Sequence, residues 1–511
     1  MASARELRYM ERCKKRKERN TTPARQLKRL RSTQDTSYNK EIYQYDTSQP
    51  CQNDTSQPCQ NDTSQPSETT SIMYEIGRKL CRKPWATTTM NSTELTTQID
   101  LLRQLGGEYM KLADAISEGW YFVRASGCYN AALRCIEKLK NLPEGATEID
   151  SSMLVSKKSD CLKQLQHIEA TFLTIAAHQN YKTAKQHKEL YETELNSLRE
   201  FSSKTINDIV KNDMKVDSIT TEMSVEDEDS TIKNSKVFYN ELSDRLKKFY
   251  RLLIDDCISV LEVPDCKFSV LGLGSLARME ATAYSDLESA ILFDSSGMTS
   301  GEVEKVKHKF RLMVHYLHLK VLNLGETILP SLCIPVLNDF NTELPEHMTD
   351  NKYFDITTPQ GMCFDGAMPW ASKTPIGRNK TKLKPARELI MTPEEMAEYQ
   401  TESICIKEGY HLSDVLMTTT LIYGDEGLLE RYNTNIQKFL NSPSEKDSSL
   451  SVGALRADET LKDDLNKYLQ NPLTPETLGK QVHVKKDIYR FATISVNTLK
   501  LKYTCVSQAP L

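Results

Sequence analysis

The sequence predicts an α+β, multidomain protein in which a small mixed sheet is flanked by helical domains, behind a disordered N-terminal tail. Three observations predict it. Residues 1–72 contain a Pro-, Ser- and Gln-rich octapeptide repeated in tandem, DTSQPCQN, DTSQPCQN, DTSQP. Such a segment has too little apolar surface to bury a core. Stretches on both sides of the middle carry apolar residues at helical spacing. Between them two short β-prone runs, 267–271 (KFSVL) and 287–293 (LESAILF), enclose a glycine turn. At 511 residues the chain has room for about three domains.

Composition narrows the class. Hydrophobic residues make up 39% and charged residues 27%, a mix that suits soluble domains joined by polar chain. The net charge of −4 is small, so no global charge argues for a nucleic-acid or membrane partner, and nucleic acid is not expected. No stretch approaches the ~18 apolar residues of a membrane helix. The N-terminal residues are charged throughout and lack the apolar run of a secretory signal, so the expected location is cytoplasmic. The thirteen cysteines then read as reduced thiols, and none forms a C-x-x-C pair. Lys14-Lys15-Arg16-Lys17 offers an alternative, nuclear address. The interspersed Glu6, Glu11 and Glu18 favour a solvated tail.

Taken in order, residues 73–212 read as helical. The stretch from Leu101 to Leu139 breaks at Gly119, and Ala125, Tyr129 and Ala132 share one helix face. That hairpin resembles a single tetratricopeptide helix pair, and any antiparallel helical hairpin fits as well. Residues 213–235, with the acidic SVEDEDS, read as a linker. A helix from Phe238 to about Leu261 then leads into the α+β region, residues 236–385. Residues 302–320 read as an amphipathic helix packed on the sheet, with His308, His315 and His318 as surface or hydrogen-bonded histidines. Thr392 and Glu395 form a capping box for a helix over 393–400. Residues 386–511 read as a C-terminal helical domain.

The chemistry concentrates in LGLGSLARMEATAYSDLE, residues 271–288. GLGSLA matches a G-x-G-x-x-A dinucleotide turn, with Asp294 placed as its ribose acid. Only about ten residues precede the next strand, too few for a parallel crossover. The same residues support a different reading. Gly274 and Ser275 open a short helix whose free N–H groups and hydroxyl suit a phosphate. Asp286 and Glu288, at i and i+2 on a strand, turn their carboxylates to one face while Leu287 turns inward. Two such carboxylates suit Mg²⁺, or Mn²⁺, holding a triphosphate.

The full pattern is Gly274-Ser275-x-Ala277-Arg278-x-Glu280-x4-Ser285-Asp286-x-Glu288. It resembles the signature of the DNA polymerase β-like nucleotidyltransferase superfamily, and more closely the N-terminal nucleotidyltransferase domain of protein-PII uridylyltransferase. The likeness spans roughly residues 236–505. It includes GMCFDGAMPWASKTPIGR (361–378) and DVLMTTTLIYGDEGLLERY (414–432). The resemblance implies that Gly274, Ser275 and Arg278 bind nucleotide and that Asp286 and Glu288 act catalytically as metal ligands. Glu280 and Ser285 would brace the site. A third acid is expected from a later strand, with Asp365 first and Asp339 second. Lys373 and Arg378, followed by Lys380, Lys382 and Lys384, would steer the triphosphate, with Lys485 or Lys486 as a further cation.

The pattern also departs from the family. Glu288 stands where an aspartate is usual, and the chain has no His-Asp dipeptide for a hydrolytic domain. The expected activity is transfer of a nucleoside monophosphate from a nucleoside triphosphate to an acceptor, with loss of pyrophosphate. The resemblance points to UTP as donor and a protein hydroxyl as acceptor, recruited through the helical regions. The alternative is a catalytically degenerate nucleotide-binding scaffold that binds protein partners.

Overall fold

The computed structural model describes residues 68–81, 91–142, 151–178, 185–212, 225–326, 329–332, 334–337, 362, 364, 373–378, 380, 385–470 and 489–503. The octapeptide tail (residues 1–67), Asp339, Asp365, Lys382, Lys384, Lys485 and Lys486 lie outside them. The fold is α+β, mostly helical with a small mixed sheet.

The N-terminal helical region consists of α1 (Glu68–Cys81), α2 (Ser92–Ile116), α3 (Gly119–Lys140), α4 (Ser151–Thr171) and α5 (Lys185–Asn212). Asn91 and Glu94 cap α2 reciprocally. α2 ends at Ser117 in the left-handed region (φ 60°), and α3 begins two residues later, so the expected break at Gly119 is the hairpin turn. Close packing explains the small residues. A Cβ on Gly106 would stand 2.8 Å from the Tyr129 ring, which couples the two arms of the hairpin. α4 continues into a π turn, Phe172–Ala176, and Phe172 meets Phe122 edge-on and stacks on Tyr316 at centroid distances of 5.5 and 5.8 Å.

α6 (Val225–Val260) is a single helix of 36 residues. It begins thirteen residues before the expected Phe238 and takes in the acidic run read as a linker. Glu226, Asp227 and Glu228 occupy its first turn, where negative charge meets the positive end of the helix dipole. Phe238, Leu242, Leu246, Phe249 and Leu253 form its buried stripe.

The sheet has the order β3-β2-β1-β4, from β1 (Phe268–Gly272), β2 (Ser289–Phe293), β3 (Ile390–Met391) and β4 (Thr420–Gly424). β1 pairs antiparallel with β2 and with β4, while β2 and β3 run parallel. The antiparallel β1–β2 pair disposes of the dinucleotide reading, which needs a parallel crossover. Helix α8 (Ser300–Asn323) covers one face, with Phe310 against Phe268 and Phe293 at 5.2 and 6.0 Å. The other face packs Leu271, Ala290 and Leu292 on C-terminal helices: α9 (Pro393–Ala397), α10 (Glu402–Glu408), α11 (Tyr410–Met417), α12 (Glu426–Asn441), α13 (Val452–Gln470) and α14 (Arg490–Lys502). Alternation along β2 thus serves two cores. Thr392 and Glu395 form the expected capping box of α9.

Two expectations for α8 change. His315 and His318 are neither surface residues nor hydrogen-bonded through both nitrogens. Both are buried, and His315 Nδ1 and His318 Nε2 have no partner among the described residues. Their rings pack edge-on against Trp120, and a Cβ on Gly119 would stand 2.2 Å from the His315 ring. The N-terminal hairpin covers this face, so the buried part of α8 extends beyond its amphipathic stripe. Burial pushes both imidazoles down to about 3. Lys320 on the same helix is buried against Asp256 of α6 and stands 4.3 Å over the Tyr316 ring. No helix among the described residues is long and apolar enough to cross a membrane.

Candidate active site

The glycine turn and the acidic pair interlock. Leu273 N donates to Glu288 O at 2.9 Å, which extends the β1–β2 ladder past the strand ends. Gly274 follows with φ +57°, a conformation that costs an L-residue about 1–2 kcal/mol. A Cβ there would stand 1.7 Å from Glu288 Oε2. Only glycine allows this turn and this carboxylate to occupy the same place. The spacing between Gly274 and Glu288 is therefore the length of chain needed to bring both back to one point.

Between them the chain makes one helical turn, α7 (Gly274–Ala277). Arg278 N donates to Gly274 O at 3.1 Å, and Glu280 N to Ser275 O at 2.8 Å. Met279 has φ +55°, a left-handed conformation that a non-glycine residue adopts at a cost of order 1–3 kcal/mol. This reversal sets Glu280 against Arg278, whose Nε donates to Glu280 Oε2 at 3.0 Å. The hydroxyl of Tyr489 donates to the same oxygen. Glu280 Oε1 is buried with no partner among the described residues. Ser285 closes the next turn, its Oγ accepting from Thr282 N at 2.8 Å.

Leu287 is buried and bridges in parallel to Phe364, while Asp286 and Glu288 on either side are half-buried. Lys373 joins them from a distant segment. Its carbonyl accepts from Ser289 N at 2.9 Å, and its Nζ donates to Glu288 Oε1 at 3.0 Å. Glu288 therefore has Oε1 on an ammonium and Oε2 against the Gly274 backbone. Glu288, with its carboxylate against the Gly274 turn, and Asp286, two residues before it, are hard oxygen donors of the kind a divalent cation takes. Among the described residues no group of three or more His, Cys, Asp or Glu side chains gathers as a metal cage. Asp365, the residue after Phe364, falls outside those residues.

Arg378 does not join this group. Its side chain is 3% exposed, with Nη2 on Glu408 Oε2 at 2.7 Å and Nε on Pro385 O at 3.0 Å. Arg387 takes the other oxygen of Glu408 at 2.6 Å. Burial works to raise the Glu408 pKa, and the two guanidiniums outweigh it, leaving the carboxyl below its usual range. The sequence pattern missed Tyr489, which is 209 residues from its partner Glu280 and carries no local signal.

Residues 225–327, from α6 through α8, match the family model described as "Putative nucleotidyltransferase DUF294". No curated protein matches the chain. The match supports a nucleotidyltransferase-type domain over this segment. Lys373, Phe364 and Tyr489 lie outside the matched residues.

Proposed function

We propose that this chain is a Mg²⁺- or Mn²⁺-dependent nucleotidyltransferase, uridylyltransferase-like, that moves a nucleoside monophosphate from a nucleoside triphosphate to an acceptor and releases pyrophosphate. The observation that carries the reading is the interlock of Gly274 with Glu288 beside Asp286. Asp286 and Glu288 would hold the cation, which supplies charge neutralisation to the triphosphate. Gly274 and Ser275 would admit the phosphates close to the backbone. The acceptor hydroxyl attacks the α-phosphorus and the bond to pyrophosphate breaks. The hydroxyl proton passes to a carboxylate, Asp286 or a third acid. Asp365 is our choice for that acid, because its chain neighbour Phe364 bridges to Leu287. Lys373 would exchange Glu288 for a phosphate oxygen as substrate enters. Arg278, held through Nε by Glu280, would back the turn. Resemblance favours UTP as donor and a protein hydroxyl as acceptor, met through the helical regions.

A second reading has its own support. The Lys373 ammonium on Glu288 already supplies a positive charge where a cation would sit. That arrangement favours a catalytically degenerate protein that binds nucleotide and partners.

The two separate in one experiment. Purified chain is incubated with Mg²⁺, a cell extract as acceptor source and each α-³²P-labelled nucleoside triphosphate, beside the Asp286→Ala/Glu288→Ala variant. Pyrophosphate release and labelled acceptor that vanish in the variant support the transferase, and the preferred label names the donor. Nucleotide binding without turnover supports the second reading.

A further inference from the structure

The family match begins at residue 225, yet the loop carrying the acidic pair is held from upstream of it. Arg199, on α5, places Nη1 and Nη2 on the two oxygens of Glu326 at 2.8 and 2.7 Å. Glu326, three residues past α8, is buried, and its Oε2 also accepts from Met362 N at 2.8 Å. Met362 stands two residues before Phe364, the residue that bridges Leu287 between the two carboxylates.

The face of the same guanidinium lies over Tyr284, with Cζ 4.5 Å from the ring centroid. Tyr284 is two residues before Asp286 and remains 54% exposed. One planar cation thus uses its edge for a carboxylate and its face for an aromatic ring, a combination that lysine cannot reproduce. It touches the segment entering the acidic pair through Tyr284. Through Glu326 and Met362 it reaches the segment beside the pair. Arg134 of α3 offers an internal contrast. Its Nη2 donates to Gly325 O at 2.8 Å, one residue from Glu326, and among the described residues its contacts are with Gly325 and Glu137 rather than with Tyr284.

We propose that Arg199 is a positioning residue of the active site, so that the N-terminal helical region is part of the catalytic unit. The inference rests on the nucleotidyltransferase reading for its catalytic consequence, but its structural consequence is measured separately.

The test uses the full chain as wild type, Arg199→Ala, Arg199→Lys, Tyr284→Leu and Arg134→Ala. Amide hydrogen exchange is followed at Tyr284, Ser285 and Met362, alongside pyrophosphate release from each nucleoside triphosphate with Mg²⁺ and a cell extract as acceptor source. In Arg199→Ala, exchange at the three amides rises at least about tenfold. Turnover falls about 10- to 100-fold in kcat, with KM for the triphosphate little changed. Arg199→Lys recovers part of kcat. Tyr284→Leu, a change at an exposed side chain that leaves folding intact, raises exchange at 284 and 285 and lowers kcat. Arg134→Ala lowers thermal stability and leaves exchange at 284 and 285 as in wild type. The proposal is overturned if Arg199→Ala and Tyr284→Leu leave those amides protected, or if Arg134→Ala exposes them equally. A wild type without turnover sinks the transferase reading, and exchange still decides the role of Arg199.

Discussion

Arg278 and Arg378 both pair with a glutamate that burial alone would penalise, and their surroundings differ in completeness. Around Glu408 both oxygens are taken, by Arg378 and Arg387, and the carboxyl side chain is 1% exposed. Nothing is left for a ligand. Around Glu280 two donors, Arg278 and Tyr489, crowd one oxygen while the other has no partner among the described residues. A fully satisfied buried network rigidifies the fold, whereas an under-satisfied one beside a glycine turn and two half-buried carboxylates retains unused hydrogen-bonding capacity. The arginine read as a nucleotide ligand in the basic loop is a structural ion, and the one in the short motif stays with the candidate chemistry.

The contrast is broken most severely at the glycine turn. Gly274→Ala forces Glu288 aside and strains the backbone, so turnover is expected to fall about 100-fold or more. Metal-dependent pyrophosphate release measures it, with circular dichroism as the check on folding. Turnover equal to wild type would mean that the Gly274–Glu288 contact does not matter to the chemistry. At the complete network the loss is in stability. Glu408→Gln leaves the buried Arg378 and the half-buried Arg387 without their counter-charge and is expected to cost about 3–5 kcal/mol in urea unfolding. A cost below about 1 kcal/mol would place this cluster with ordinary surface pairs.

Acid acts on α8 independently of both glutamates. His315 and His318 have folded-state pKa values of about 3, below the ordinary 6.5. The unfolded chain therefore binds more protons between those limits. Their contribution is fully present above pH 6.5 and is lost as pH falls toward 3, by up to about 1.4 kcal/mol per pH unit for each histidine. Replacing either residue by Leu should flatten that part of the stability profile. A slope identical to wild type would show that these rings are not the acid-sensitive groups. The smallest effect is expected at Lys373→Met, where a partly exposed ion pair of about 1 kcal/mol is removed. The half-saturating Mg²⁺ concentration in the absence of nucleotide should fall about fivefold. A rise instead would make Lys373 an aid to cation binding rather than a competitor.

Local chemistry made several features legible before any coordinates. The capping residues Thr392 and Glu395, the apolar run of β2 and the Gly274–Glu288 spacing are each fixed by residues within about fifteen positions of one another. Backbone sterics, helix dipoles and strand alternation act over that range. The short interval between the glycine turn and the next strand similarly excluded a parallel crossover, and β1 and β2 are antiparallel.

Where the sequence reading went astray, the deciding partner was far away in the chain. The acidic run at Glu226–Glu228 reads as part of a linker by composition, and the length of α6 and the packing of its later turns make it a helix start. His315 and His318 look polar in a helical wheel, and Trp120 of the hairpin buries them. Arg378 sits in a basic loop by sequence, and Glu408 from another segment determines its place. The amino-acid sequence by itself determined the elements, the turn and the acidic pair, because short-range sterics and periodicity set them. Only the tertiary structure decided which charges are spent on one another and that Lys373, Tyr489 and Arg199 converge on the motif, because burial and ion pairing depend on contacts between segments tens to hundreds of residues apart.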